Sequence, residues 1–214
     1  MDAAATSISA SAPSEPFELS GGAICLDFAN TWGDRGRPES ERLRGYGDLL
    51  AFARQAGLLD ERQAAALERR ARRRGEEADR AFAAAAELRE ALYRIFSARA
   101  AGTEPAAADL ERLNSALTEA APGLRIERRD GGYAWGWCDP TESLAAPLRP
   151  VVRSAAELLT SDELDRVREC DGARCTWLFL DRSRNRSRRW CSMESCGNRA
   201  KVHRHYRRRR AQDG

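Results

Sequence analysis

Histidine is nearly missing from this chain: two in 214 residues, His203 and His205, both in the basic terminal segment. That leaves little from which to build acid–base or nucleophilic catalysis. No Walker loop, HExxH, GxSxG or dinucleotide fingerprint compensates, so no enzyme is expected. Lysine is scarcer still, with Lys201 alone against a large excess of arginine; the bias is compositional and carries no functional reading. No run of about eighteen apolar residues occurs, which excludes a spanning helix, and no membrane partner is expected. Residues before Pro16 are Ala/Ser-rich with acids and no arginine. They fit neither a secretory nor a transit signal and read as a disordered tail over 1–16, with the cytoplasm as the expected compartment. No internal repeat is visible.

What the chain does have is six cysteines, four of them in two pairs with the same four-residue gap: Cys170/Cys175 and Cys191/Cys196, separated by fifteen residues. Each short loop lets two sulfurs converge on one ion, and four thiolates fill a tetrahedral zinc shell with no position left for water. Such a zinc ion is structural, and a module this small has too little core to fold without one. Three other readings stand beside it: disulfides, unrelated core thiols, or a site in which His203 or His205 replaces one cysteine. Cys25 and Cys138 lie far from the quartet in sequence and read as buried single thiols.

Between the pairs, Trp177, Phe179 and Trp190 alternate as strand residues would, with Ser183 to Ser187 as a turn, which predicts a β-hairpin with a basic tip. After Cys196 the period changes. Val202 and Tyr206 fall four apart while Lys201, Arg204 and Arg208 share another helical face. A cysteine loop, a hairpin and a helix suggest a treble-clef-like finger, with Gly197 easing the turn beside the metal.

The run CGNR at Cys196 to Arg199, with LFLD at Leu178 to Asp181 and RRWCSM at Arg188 to Met193, resembles the CGNR zinc finger found at the C-terminus of a bacterial family of stress-induced transcriptional regulators. CLDFANT, Cys25 to Thr31, resembles the opening of their companion region, the ABATE domain. The finger resemblance is dense; the N-terminal one rests on that motif and the layout. The resemblance implies a zinc-bearing DNA-binding regulator, with the four ligand positions intact.

Charge is distributed unevenly. From Arg166 onward there are 15 Lys and Arg against 5 Asp and Glu, a net of +10, and residues 1–165 carry 21 against 28, a net of −7. The acidic part reads as mostly helical: Tyr46 to Ala56 stopped by Gly57, a helix capped by Asp60, a long amphipathic helix over Glu76 to Ala100, and another over Ala106 to Ala120. The arginine cluster at Arg69, Arg70, Arg72, Arg73 and Arg74 is followed at once by acids and reads as a self-paired, solvated surface. Leu124, Ile126 and Arg128 alternate toward Asp130-Gly131-Gly132, and Tyr133, Trp135 and Trp137 alternate away, which predicts a hairpin whose aromatic face packs on a core, the alternative being rings that stack on a base or a ligand. A last helix, delayed or kinked by Pro147 and Pro150, leads into the finger without a long linker. The expected fold is α+β: a mostly helical ABATE-like domain with a β-hairpin over 17–160, then a treble-clef-like zinc finger with a basic C-terminal helix over 161–214.

Two functions from different classes follow. In one, the finger binds nucleic acid through Arg182, Arg184, Arg186, Arg188 and Arg189 on the hairpin and Arg199, Lys201, Arg204, Arg207 and Arg208 on the helix. The resemblance implies DNA, whereas stacking aromatics on the hairpin would instead indicate RNA. The N-terminal half would then pair subunits as a homodimer or sense a small molecule, with Asp27, Asn30 and Thr31 among apolar neighbours as candidate ligand contacts; the alternative role for these three is to tie the turn before Gly33. In the other, the finger is a zinc-stapled interaction module whose basic face docks on an acidic protein surface. Arg199 has two readings of its own, a nucleic-acid contact or a brace beside the metal.

Overall fold

A 26-residue helix, α4 (Gly75–Ala100), forms the spine against which most other elements pack. The computed structural model describes residues 15–129, 131–202 and 209. Along α4, Leu88, Leu92, Ile95 and Phe96 recur on one face and are fully buried, as the three- and four-residue spacing requires. Around the spine lie α1 (Ile24–Ala29), α2 (Tyr46–Gln55), α3 (Glu61–Arg73), α5 (Ala107–Ala120) and α6 (Arg149–Leu159). Phe28 and Phe52 meet at 5.5 Å, with Phe17 edge-on to Phe52 at 5.5 Å. Burial of each such ring contributes about 1.5–3 kcal/mol.

The helix ends follow local chemistry. Asp60 and Gln63 form a reciprocal capping box at 2.8 and 2.9 Å that starts α3. Gly57, at φ +68, closes α2 in the left-handed region that glycine occupies without strain. Pro147 holds a 3-10 turn over Ala146–Leu148, and α6 starts after it with Pro150 in its first turn, so the prolines delay this helix rather than kink it. The arginine cluster of α3 is largely paired, with Arg72 on Glu68 at 2.8 Å and Arg74 on Glu77 at 2.9 Å.

Two antiparallel pairs complete the α+β fold: β1 (Leu124–Arg129) with β2 (Gly132–Trp137), and β3 (Val167–Glu169) with β4 (Leu178–Leu180). The first is the hairpin expected from the alternation, but its aromatic face is not packed. Tyr133 is 81 % exposed, Ile126 54 % and Trp135 45 %, because α6 reaches the sheet only near its base, where Arg153 lies over the Trp135 ring. Cys138, expected to be buried, is exposed just beyond β2. Cys25 fits its expectation and is fully buried, with burial pushing its thiol up to about 12.

The second pair corrects the expected hairpin of the finger. The strands flank the first cysteine pair rather than joining the two pairs, and residues 181–190 contain no strand. The apolar triplet Leu178–Leu180 explains this, because its alternation faces two cores. Val167, Leu178 and Leu180 are buried in the helical core with α1 and α4, while Phe179 is turned to the cysteine cluster. The finger and the helices therefore share a packed interface with no free linker. No described helix is long and apolar enough to cross a membrane.

Candidate metal centre and basic loop

Four segments bring the cysteines together. Cys170 follows β3 directly and Cys175 precedes β4, with Gly172 between them at a position where a Cβ would press on Cys175 and on the Cys196 sulfur, each at 3.1 Å. The loop after β4 returns so that the Asp171 amide donates to the Arg189 carbonyl at 2.9 Å and the Cys191 amide to the Cys170 Sγ at 3.3 Å. Cys196 lies on a π-helical turn, Met193–Gly197, that runs on into helix through residues 198–202, so this helix begins before the last cysteine rather than after it. All four Sγ atoms lie within 4.8 Å of one another, with Cys175–Cys191 and Cys191–Cys196 at 3.7 Å. A tetrahedral ion with metal–sulfur bonds of about 2.3 Å needs sulfur–sulfur edges of about 3.8 Å, so the donor set fits such an ion. The cluster can hold a metal.

Hydrogen bonds from Cys175 and Cys191 push the Cys170 thiol down to the thiolate side, and the same pairing pushes the thiols of Cys175 and Cys191 up, so one negative sulfur is favoured by the protein groups alone. The Arg199 guanidinium donates to Cys196 Sγ at 3.2 Å. Trp177, Trp190 and buried Phe179 wall the cluster. One side stays open through a cleft of about 370 Å³ bordered by Cys175, Cys191, Cys196, Asp34 and Arg37. His203 and His205 lie outside the described residues.

The basic loop is framed by Asp181, whose carboxylate is completely buried. It accepts from the Ser183 amide at 2.9 Å, the Ser183 hydroxyl at 2.5 Å and the Arg188 amide at 2.9 Å, closing residues 181–188 on a single side chain. Burial alone would raise this carboxyl, but those donors overcome it and hold the group below the usual carboxylate range.

The loop arginines fall into two groups. Arg182 is bidentate on Glu163 at 2.8 Å, and Arg189 pairs with Asp171 at 2.7 Å. Arg188 turns inward over the Phe179 ring at 4.3 Å and donates to the Trp190 and Cys191 carbonyls. Arg182, Arg188 and Arg189, expected among the nucleic-acid contacts, are engaged by local acids and carbonyls. Arg184 and Arg186 are exposed with no ion pair or hydrogen bond from their side chains among the described residues, as are Arg174 and Lys201. Arg186 is also the one described non-glycine residue at positive φ, +48. Arg204, Arg207 and Arg208 lie outside the described residues.

Asp27, Asn30 and Thr31 are all buried and all engaged. Asn30 brackets β4, its amide donating to the Leu178 carbonyl at 2.8 Å and its oxygen accepting from the Leu178 amide at 2.8 Å. Asp27 accepts from the Gly21 amide at 2.7 Å, and the Thr31 hydroxyl donates to the Phe28 carbonyl at 2.7 Å. The motif that opens the helical part is thus the seat of the finger's second strand.

Beside this seat runs a charge network that sequence reasoning missed. Arg89, 2 % exposed, holds both oxygens of Glu41 at 2.6 Å and Glu90 at 2.9 Å. Arg35 bridges Glu90 at 3.0 Å and Thr176 of the finger at 3.1 Å, stacked 3.5 Å from the Tyr93 ring centre. Tyr93 and Ser97 in turn donate to Glu169 at 3.0 and 2.6 Å. A signal existed: Arg89 lies three and seven residues before Leu92 and Phe96, on the apolar stripe of α4.

Comparison with known families follows the same division. Residues 22–162 match the ABATE family, described as a putative stress-induced transcription regulator, and residues 166–209 match the CGNR zinc finger. No curated protein matches the chain. With the first match covering well over half of its residues and the second taking in all four clustered cysteines, the chain belongs to the ABATE family and ends in a CGNR zinc finger.

Proposed function

We propose that this protein is a zinc-dependent DNA-binding regulator. Cys170, Cys175, Cys191 and Cys196 hold one zinc ion as thiolates, and the ion fixes the returning loop and the start of the terminal helix against β3 and β4. Four soft sulfur donors at tetrahedral spacing support zinc over hard cations, and a shell that four thiolates can fill supports a structural role. The observation that carries the nucleic-acid reading is the pair Arg184 and Arg186, exposed and unneutralised on a loop framed by a buried carboxylate. Arg186 is held in a backbone conformation that costs about 1–2 kcal/mol, a type of strain that clusters at functional sites. Lys201 is exposed as well, and the terminal sequence after it adds further arginines. Arg182, Arg188, Arg189 and Arg199 brace the loop and the metal centre, and Asp27, Asn30 and Thr31 tie the finger to the helices.

Duplex DNA is favoured over RNA because the finger's described rings, Trp177, Phe179 and Trp190, pack on the cysteine cluster instead of standing free to stack on bases. The competing docking-module reading needs the basic face to be the docking face. The finger meets its own helical half instead through buried Val167, Leu178 and Leu180 and through bonds from Asn30, Arg35, Tyr93 and Ser97, with neither Arg184 nor Arg186 taking part.

The test is duplex binding across a salt series. Log affinity should fall linearly with log salt, at about −0.9 per phosphate contact, and Arg184→Ala with Arg186→Ala should flatten the slope by up to about two units. Zinc-loaded protein that binds no nucleic acid even at low salt would refute the reading.

A further inference from the structure

β2 is an unguarded edge. Its six residues, Gly132–Trp137, carry no charge, whereas four of the six in β1 are charged. Sheet edges in natural proteins are shielded by charge, proline, a bulge or a covering element; β2 has no charge, proline or bulge, and α6 and residues 57–59, which border a cleft beside Trp135–Trp137, make no hydrogen bond to its backbone among the described residues. The phase of the ladder shows which groups are left over. The Cys138 amide donates to the Gly123 carbonyl at 3.0 Å, which makes that facing pair hydrogen-bonded. Bonded and non-bonded pairs alternate in an antiparallel ladder, so Gly132, Ala134 and Gly136 bond to β1 while the N–H and C=O groups of Tyr133, Trp135 and Trp137 point away from it. No described backbone group meets that outward row. On the far side, by contrast, the outward amide of Leu124 is taken by the Ala121 carbonyl at 3.1 Å.

The same three residues carry the aromatic face, exposed at Tyr133 and Trp135 and half-buried at Trp137. The hairpin is tied to the body near its base, where the Trp137 indole donates to the Ala120 carbonyl at 2.7 Å and the Arg153 guanidinium sits 5.0 Å from the Trp135 ring. A two-stranded hairpin with one face in water is marginal by itself, and added strands stabilise it.

We propose that β2 pairs antiparallel with β2 of a second copy of this chain about a twofold axis, making one four-stranded sheet from two hairpins. The occupant follows from symmetry. The outward positions 133, 135 and 137 are centred on Trp135, so one register sets Trp135 against itself and Tyr133 against Trp137 and satisfies every outward donor and acceptor. An isologous contact brings each side chain near its own copy, which penalises any charge, and β2 has none. A foreign strand selected by charge would find nothing to read there. The joined faces form one band of six aromatic rings, three from each copy.

Light scattering of the full zinc-loaded chain tests this directly, and the expected mass is twice the 23.8 kDa of one chain. Tyr133→Lys places a charge on the edge at a side chain already in water, and Trp135→Pro removes an outward N–H while sparing every β1–β2 bond. Both should reduce the mass to that of one chain with helix content and metal content unchanged. Hydrogen exchange should show the amides of residues 133, 135 and 137 protected in the parent and open in Tyr133→Lys, which stands as the test should the proline variant fold poorly. A parent that stays at single-chain mass, leaving the edge free or reserved for another protein's strand, overturns the proposal. So does a dimer that survives Tyr133→Lys with those amides unprotected.

Discussion

Asp27 is a carboxylate kept almost out of water with one N–H to answer it. Burial dominates, the Gly21 amide only partly offsets it, and the group is pushed from 3.8 up to about 6. A raised carboxyl pKa means that the folded state binds the proton more tightly than the unfolded one. Its contribution to stability is therefore full below pH 3.8 and is lost as pH rises through about 6. Asp27→Asn keeps the acceptor for Gly21 and removes the charge. Its stability relative to the parent should rise across that window and reach up to about 3 kcal/mol at neutral pH, checked by denaturant titrations at several pH values. Asn30→Ala should act in the opposite direction. It strands the amide and carbonyl of Leu178 in a buried site, at about 1–3 kcal/mol for each group, and a melting curve checks it. At this scale the four clustered cysteines were legible because their chemistry is written in spacing. The Arg89–Glu41 pair was not, since nothing local says that a helical arginine will find its acid 48 residues earlier in the chain.

The loop between β4 and Cys191 shows what an element adds beyond its charges. Asp181→Ala removes a negative charge from a basic surface, so electrostatics alone predicts tighter DNA binding. The expectation here is the reverse. Without the carboxylate the loop loses the bonds to Ser183 and Arg188, Arg184 and Arg186 are no longer pre-arranged, and affinity should fall several-fold while zinc content stays stoichiometric. Binding isotherms at one salt concentration, paired with metal analysis, decide it. Sequence periodicity placed a hairpin here because Trp177, Phe179 and Trp190 alternate. The alternation is real, but only Leu178–Leu180 finds a partner strand, and that strand lies before the first cysteine. A pattern reports which residues face apart; it does not name the strand they pair with. The β1–β2 hairpin was legible because its partner is adjacent, while the exposure of its rings depends on how far α6 reaches across the sheet, which no local pattern states.

For the whole molecule, the shared core sets how the protein comes apart. Val167, Leu178 and Leu180 belong to the same buried cluster as Phe28 and Phe96, and the Arg35–Thr176 and Tyr93–Glu169 bonds cross the same boundary. Stripping the metal, which the open cleft exposes to a chelator, should lower the melting temperature of one cooperative transition; an unchanged helical transition beside a lost finger would contradict this. The division into an acidic and a basic part was legible from composition. The join was not, because the residues that make it are ordinary apolar and amide side chains separated by as many as 148 positions.

That join limits what can be cut. The boundary between residues 162 and 166 looks like a place to separate two units, yet a fragment beginning there would carry β4 with Leu178 and Leu180 stripped of α1 and with the backbone of Leu178 deprived of Asn30. Such a fragment should aggregate even with its zinc in place, and grafting the finger onto another regulator should fail unless the CLDFANT segment travels with it. The two parts are inherited as neighbours in sequence but function as a lock and its housing.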